Sequence, residues 1–151
     1  MSIADQLKAV TKKAADAQKA MKQELQVSFN DAAQAFFEKA PEGTTITWCQ
    51  YTPYFNDGDP CVFRVGGTEV RFLPLEGGDK EMAEEEYGED QGYCYGEVDQ
   101  TKKLPDDVKA DAKALTKFIG SQKDLMLTLY DDHQLVRLSK DGATVSEYSH
   151  D

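Results

Sequence analysis

The chain has 151 residues, a length that suits one domain, and a formal net charge of −11. With 40% hydrophobic and 30% charged residues and a mean hydropathy of −0.62, its composition is globular and excludes a membrane span. The N-terminus lacks the apolar stretch of a signal peptide, and three cysteines without a C-x-x-C pair are typical of a reducing compartment. We therefore expect a cytoplasmic protein.

The first 40 residues predict a long helical arm, because residues 2–40 contain no Gly or Pro and are rich in Ala, Lys and Gln. Ser2 and Asp5 suit the start of a helix. Apolar residues follow at a heptad spacing of 4-3-4-3-4, namely Ile3, Leu7, Val10, Ala14, Ala17 and Met21. This seam predicts packing either on a second copy, with Ile3, Leu7, Val10 and Met21 as oligomerisation residues, or on the chain's own domain. A restart of the helix at Ser28 is the alternative to one continuous helix.

From Thr44 the apolar period changes to two, which predicts an antiparallel sheet over residues 44–98. Strands are predicted at 44–52, 61–65 and 68–75, with Gly66-Gly67 as a hairpin turn between the last two. A turn at Asn56-Asp57-Gly58-Asp59 lies between the first two strands. Residues 76–90, which hold eight acids and one Lys, predict a solvated loop, and 93–98 a further strand.

The C-terminal third predicts helices and a hairpin. A helix starts near Pro105, ends at Gly120 and buries a face formed by Val108, Ala112, Leu115 and Ile119. Residues 122–130 fit a short helix better than a strand, and 133–139 and 143–148 flank the hairpin signal Lys140-Asp141-Gly142. The predicted fold is therefore α+β, with a helical N-terminal arm over 1–40 and an α+β domain over 41–151.

The acidic excess lies in the middle of the chain. Residues 41–100 carry three basic and fourteen acidic side chains, a net −11, whereas 1–40 and 101–151 carry +1 and −1. Such a field repels phosphates, so we expect no direct nucleic-acid binding. The same field attracts a basic protein surface, although solubility alone also explains it.

A binding patch is predicted where aromatic residues meet this charge. Tyr51, Tyr54 and Phe55 lie at a strand end and in a loop, beside Asn56 and Asp57, where exposed aromatics often anchor a partner. The acids Glu84, Glu85 and Glu86 would steer a basic partner towards them. The competing interpretation is that these aromatics belong to the core.

No catalytic, cofactor or metal motif occurs in the sequence. Walker, G-x-G-x-x-G and G-x-S-x-G sequences are absent. Cys49, Cys61 and Cys94 are expected to be small buried thiols, and two histidines do not supply a zinc site. A Cys/His site that uses His133 with Asp131 or Asp132 is the enzymatic alternative. We expect no cofactor and no metal.

The segment 46–65, ITWCQYTPYFNDGDPCVFRV, and the ending KDGATVSEYSHD resemble an uncharacterised group of small acidic proteins from bacteriophages and some bacteria. The similarity is most specific in QYTPYFNDG, residues 50–58. It implies a viral setting and favours a non-enzymatic protein that binds and inhibits or modulates a host protein in the host cytoplasm. A different hypothesis is an oligomer that sequesters a nucleotide or other small ligand between aromatics, with Arg64 and Arg71 available for a phosphate.

Overall fold

The predicted N-terminal helix is uninterrupted in the computed structural model, which describes residues 2–53, 58, 61–74 and 99–148. Helix α1 spans Ile3–Lys39. The backbone N–H of Asp5 donates to the Ser2 hydroxyl over 3.1 Å, which confirms the predicted N-cap. The predicted alternative of a restart at Ser28 is wrong, since the helix continues to Lys39. It ends where Ala40 becomes extended before Pro41, as expected for the residue that precedes a proline.

A five-stranded antiparallel sheet forms the centre of the domain. The strands are β1 (Thr45–Tyr51), β2 (Arg64–Val65), β3 (Glu69–Arg71), β4 (Gln134–Ser139) and β5 (Gly142–Glu147). Strand β1 is central, since it pairs with β4 on one side and with both β2 and β3 on the other. Strand β5 pairs with β4 and forms the opposite edge. The predicted C-terminal hairpin is therefore confirmed.

The predicted hairpin at Gly66-Gly67 is wrong. Strands β2 and β3 do not pair with each other but lie end to end along β1. Gln50 pairs with Val65, and Thr47 pairs with Glu69. An advance of three residues along β1 therefore corresponds to four residues along the opposite edge. The Gly66 N–H still donates to the Cys49 carbonyl over 2.7 Å. The two glycines thus accommodate an extra residue within one edge strand, as in a β-bulge, and do not reverse the chain.

Between β3 and β4 the described residues form two helices and one short turn of 3₁₀ helix. The 3₁₀ turn is Thr101–Lys103, α2 is Asp106–Ser121 and α3 is Lys123–Tyr130. The buried residues of α2 are the predicted Val108, Ala112, Leu115 and Ile119. Asp106 and Asp107 occupy its first turn, where the helix dipole favours acids. The preference for helix at 122–130 is also confirmed.

The core lies between one face of the sheet and the three helices that the structure describes. The sheet contributes the fully buried Ile46, Trp48, Val70 and Val136, and the helices contribute a larger apolar set. From α1 only the last third enters this core, through Phe29, Phe36 and Phe37. Among the described residues, no helix has both the length and the apolar character needed to cross a bilayer. The predicted strand at 93–98, the acidic loop at 76–90 and most of the turn at 53–60 lie outside the described residues.

Candidate protein-binding face

The N-terminal part of α1 exposes its whole apolar seam. Every residue from 2 to 24 is exposed, so no described part of the chain covers this segment, which we call the arm. Ile3, Leu7, Val10 and Met21 retain between 62% and 74% of their surface in solvent. The helix is therefore amphipathic along a stretch where it has no core to face. Packing of the seam on the chain's own described domain, one of the two sequence predictions, does not occur.

An apolar groove lies between α2 and the C-terminal part of α1, residues 25–39. Its volume is about 500 Å³. Phe29 of α1 stacks on Phe118 of α2, with ring centroids 5.6 Å apart and planes at 16°, and together these rings form part of its wall. Small side chains at Ala32, Ala35 and Ala114 keep the groove open. A groove with this lining has the apolar character and the backbone access that a packing helix requires.

One end of the groove is polar. The Lys39 ammonium donates to a carboxylate oxygen of Asp111 over 2.7 Å, and both side chains line the groove. This hydrogen bond, with the negative charge of Asp111, raises the pKa of Lys39. Both groups are about half exposed, so the pair contributes little to stability. Its position marks where the apolar lining ends.

The seam and the groove lie on the same side of α1. Successive residues of a helix are rotated by about 100° around its axis. On this basis, the mean angular position of the six seam residues differs by about 20° from that of the α1 residues that line the groove. Leu25, which lines the groove, follows Met21 by one helical turn. The seam and the groove therefore form one continuous apolar face, which we call the α1 face.

The other predicted patch is only partly described. Tyr51, at the end of β1, is half-buried and contacts the buried Tyr148, with ring centroids 5.6 Å apart. The remaining members of that patch lie outside the described residues, namely Tyr54, Phe55, Asn56, Asp57, Glu84, Glu85 and Glu86. Within the described residues, this patch thus consists of Tyr51, which packs on Tyr148 at the end of the sheet where His133 also lies.

A polar network fixes this end of the sheet. The Gln50 side chain is fully buried, accepts from the Trp48 indole N–H over 3.0 Å and donates to the carbonyls of Met126 and Asp131 over 2.9 and 2.7 Å. Asp132 accepts from the Thr52 N–H and hydroxyl over 2.8 and 2.7 Å. These bonds tie β1 to the turn between α3 and β4, so their role is structural.

The backbone of that turn adopts an uncommon conformation. Asp131 and His133 have positive φ angles of 69° and 54°. Asp132, between them, accepts from the His133 backbone N–H over 2.9 Å, while the His133 ring lies 3.8 Å from the same carboxylate. Residues with positive φ depend on such surrounding bonds. The Asp132 carboxylate is already used in holding the turn, which weakens its assignment as the acid of a Cys/His site.

Two of the three cysteines differ from the sequence expectation, and Cys94 lies outside the described residues. Cys49 is disulfide-bonded, so the expected free thiol at this position is wrong, whereas Cys61 is free and exposed rather than buried. Cysteine count and spacing carry no information on which strands meet in space, which is why the sequence did not indicate the bond. A disulfide removes Cys49 as a nucleophile and weakens the argument for a reducing compartment.

The two arginines considered for a phosphate differ in their surroundings. Arg71 on β3 forms an ion pair with the buried Glu69 two residues earlier, whereas Arg64 on β2 is exposed. An arginine already paired with a buried carboxylate is a poor phosphate ligand. Within residues 2–53, 58, 61–74 and 99–148, no group of three His, Cys, Asp or Glu side chains is arranged to hold a metal ion.

The groove was not predicted from the sequence. Its signals were present in the small residues Ala32 and Ala35, one turn apart, and in Phe118 at the spacing of the α2 apolar face. However, a groove depends on how α1 and α2 pack, which periodicity does not report. No protein-family model, curated protein or solved structure matches the chain significantly. The geometry of the α1 face is therefore the main support for a function.

Proposed function

We propose that this chain is a non-enzymatic binding protein that acts through protein–protein contacts. The observation that carries the proposal is the α1 face, on which exposed Ile, Leu, Val and Met side chains continue into an apolar groove. Extended apolar patches on a soluble protein mark sites of association. The chain otherwise has 30% charged residues, so this face contrasts with the rest of its composition.

The acidic central region supplies the second contact surface in this proposal. Its net −11 over residues 41–100 favours a partner with a basic surface and accelerates the encounter at low salt. Tyr51, with Tyr54 and Phe55, would anchor that partner at the sheet end. The resemblance of residues 46–65 to phage proteins extends the proposal to a host protein that is inhibited or modulated.

Affinity purification of the full chain from lysate of its host cell tests the acidic contact. We expect one basic protein in a constant ratio to the chain, captured more slowly at raised salt and by the charge-reversed variant E84K/E85K/E86K, because both changes weaken the electrostatic attraction. A matched control is K102E/K103E, which alters charge on the 3₁₀ turn and should not slow capture. Equal capture by all three proteins, or no capture at any salt, would refute the acidic contact.

The α1 face is tested with substitutions that do not reach the core. L7E/V10E places two carboxylates in the exposed seam, and A9E/Q23E places two on exposed positions outside it. We expect L7E/V10E to lose a protein that both wild type and A9E/Q23E retain, whether that protein is a host protein or a second copy. If L7E/V10E retains every bound protein, the α1 face is not a contact surface.

A further inference from the structure

We infer that the α1 face is covered by a second copy of the chain, with the two α1 helices antiparallel and the arm of each copy in the groove of the other. This inference rests on the proposed function, because it names the protein that occupies the α1 face.

The seam from Ile3 to Ala17 and the groove-lining stretch of α1 from Leu25 to Lys39 both span 14 residues, or about 21 Å. Ile3 and Lys39 both lie 18 residues from Met21, a distance of about 27 Å along the helix. With Met21 of the two copies side by side, antiparallel helices place Ile3 beside the polar end of the other copy's groove and Leu7 beside its Ala35. The seam from Ile3 to Ala17 then lies along the groove of the other copy, and the two Met21 side chains meet at the centre.

The direction of the two surfaces also matches. Since the seam and groove of one helix point the same way to within about 20°, two antiparallel helices that face each other bring seam onto groove twice, around a two-fold axis. The small residues Ala32 and Ala35 allow the incoming helix to approach closely. A parallel pair of arms would cover the two seams and leave both grooves open.

The buried area is sufficient for a stable dimer. Each of Ile3, Leu7, Val10 and Met21 offers about 100 Å² of apolar surface. Two copies therefore bury roughly 800 Å² from the seams, and the groove surfaces that they cover add a similar area. A total of roughly 1,600 Å² exceeds the roughly 1,000 Å² expected of a specific interface.

The charges favour the antiparallel arrangement. Residues 2–24 carry five Lys and three acidic residues, a net +2, whereas residues 25–39 carry Asp31, Glu38 and Lys39, a net −1. Antiparallel helices place the basic arm of one copy beside residues 25–39 of the other. Parallel helices would bring arm beside arm, so like charges would meet.

Light scattering during size-exclusion chromatography tests the assembly. Wild type and A9E/Q23E should have twice the 16.8 kDa mass of one chain, and L7E/V10E should have the single mass. A32E/A35E, which alters the groove alone, should also have the single mass, whereas a parallel pair of arms would not respond to it. Unchanged fluorescence of Trp48, the single tryptophan of the chain, shows that the variants keep their core.

Disulfide trapping tests the direction of the helices, in a C61S background that removes the exposed free thiol. L7C/A35C should form a covalent dimer on oxidation, and L7C alone should not. The two positions are about 42 Å apart within one helix, so any bond between them joins two chains. Trapping by L7C alone would show parallel arms and overturn the inference while the proposed function stands.

A monomeric wild type also overturns the inference. If L7E/V10E then fails to capture a host protein that wild type captures, the α1 face binds another protein and the proposed function stands. If the wild type is monomeric and no captured protein depends on the seam, the α1 face has no role in binding. That result refutes both the dimer and the proposed binding role of the α1 face. The three results are therefore distinguishable.

Discussion

Substitution of Gln50 by Met should strongly destabilise the protein. The side chain is fully buried on the central strand β1 and makes three hydrogen bonds, which join Trp48 on its own strand, Met126 on α3 and the Asp131 turn. Methionine has a similar length and no polar atom that can replace the amide. The variant therefore leaves the Trp48 N–H and the Asp131 carbonyl without their partner.

The size of the effect follows from those bonds. A buried donor or acceptor without a partner costs about 1–3 kcal/mol, so two such groups cost roughly 2–6 kcal/mol. The apolar gain from methionine offsets about 1 kcal/mol of this cost. We expect Q50M to lower the free energy of unfolding by about 3 kcal/mol, a large fraction of the roughly 5–15 kcal/mol typical of a domain.

A matched control exists in the same row of the sheet. Gln134 on β4 is the Cα partner of Gln50, is half-buried, and donates one weak bond of 3.3 Å to the Asp132 carbonyl. Q134M should therefore cost less than about 1 kcal/mol. Urea unfolding followed by Trp48 fluorescence measures both variants. Equal losses in Q50M and Q134M would refute the assignment of the Gln50 network as a major source of stability.

A Q50E variant tests the donor half of the network separately. The carboxylate keeps an acceptor for Trp48 but places a second oxygen towards the carbonyls of Met126 and Asp131. Burial disfavours the charged form and so raises the pKa of the introduced carboxyl group above its value in the unfolded chain. The folded state then favours the protonated form, so the loss of stability should be smaller at pH 4 than at pH 7.

The remaining predictions concern the pH dependence of stability at Tyr130 and substitutions of Gly142 and Gly120. Burial raises the pKa of Tyr130 from 10.0 to about 12, so its contribution to stability is complete below pH 10 and lost as the pH rises to 12. That rise corresponds to at most about 3 kcal/mol and, for a half-buried ring, to roughly 1–2 kcal/mol. Denaturant unfolding between pH 9 and 12 should show this decline in wild type and a smaller one in Y130F. Thermal unfolding should show that G142A lowers Tm, because Gly142 has a φ of +118° that costs about 1–3 kcal/mol for other residues. G120A should keep or raise Tm, since Gly120 is helical and an added Cβ meets nothing within 4 Å, and an equal fall in both glycine variants would contradict the backbone argument.

The helices were predictable because their packing is local and periodic. Val108, Ala112, Leu115 and Ile119 alternate at intervals of three and four, and this pattern identifies the buried side of α2 whatever it packs against. The same reasoning identified the heptad seam of α1. In both helices the periodicity specifies a face. The rest of the chain covers that face in α2, whereas no described residue covers the seam of α1.

The error at Gly66-Gly67 has a physical reason. Two glycines between β-rich segments satisfy the local requirements of a two-residue hairpin turn. Here the ladder with β1 is stronger, since β1 provides partners for Val65 and for Glu69 on one edge and is itself held by β4 from the far end of the sequence. Long-range pairing of this kind decides whether a glycine pair turns the chain or bends a strand.

In the proposed dimer, the arm is the part of the molecule where folding and association are linked. Helices without tertiary contacts are marginal in water even when their composition is favourable. The arm has a Ser2 cap and continues from a helical segment that Phe29 and Phe36 anchor in the core, so nucleation is already provided. Its apolar seam, however, contributes no stabilisation while it is exposed to water. In the proposed dimer each arm would fill the groove of the other copy. This contact would stabilise the seam and the helix at once, although Ile3, Leu7 and Val10 lie far from the core that the same helix helps to build.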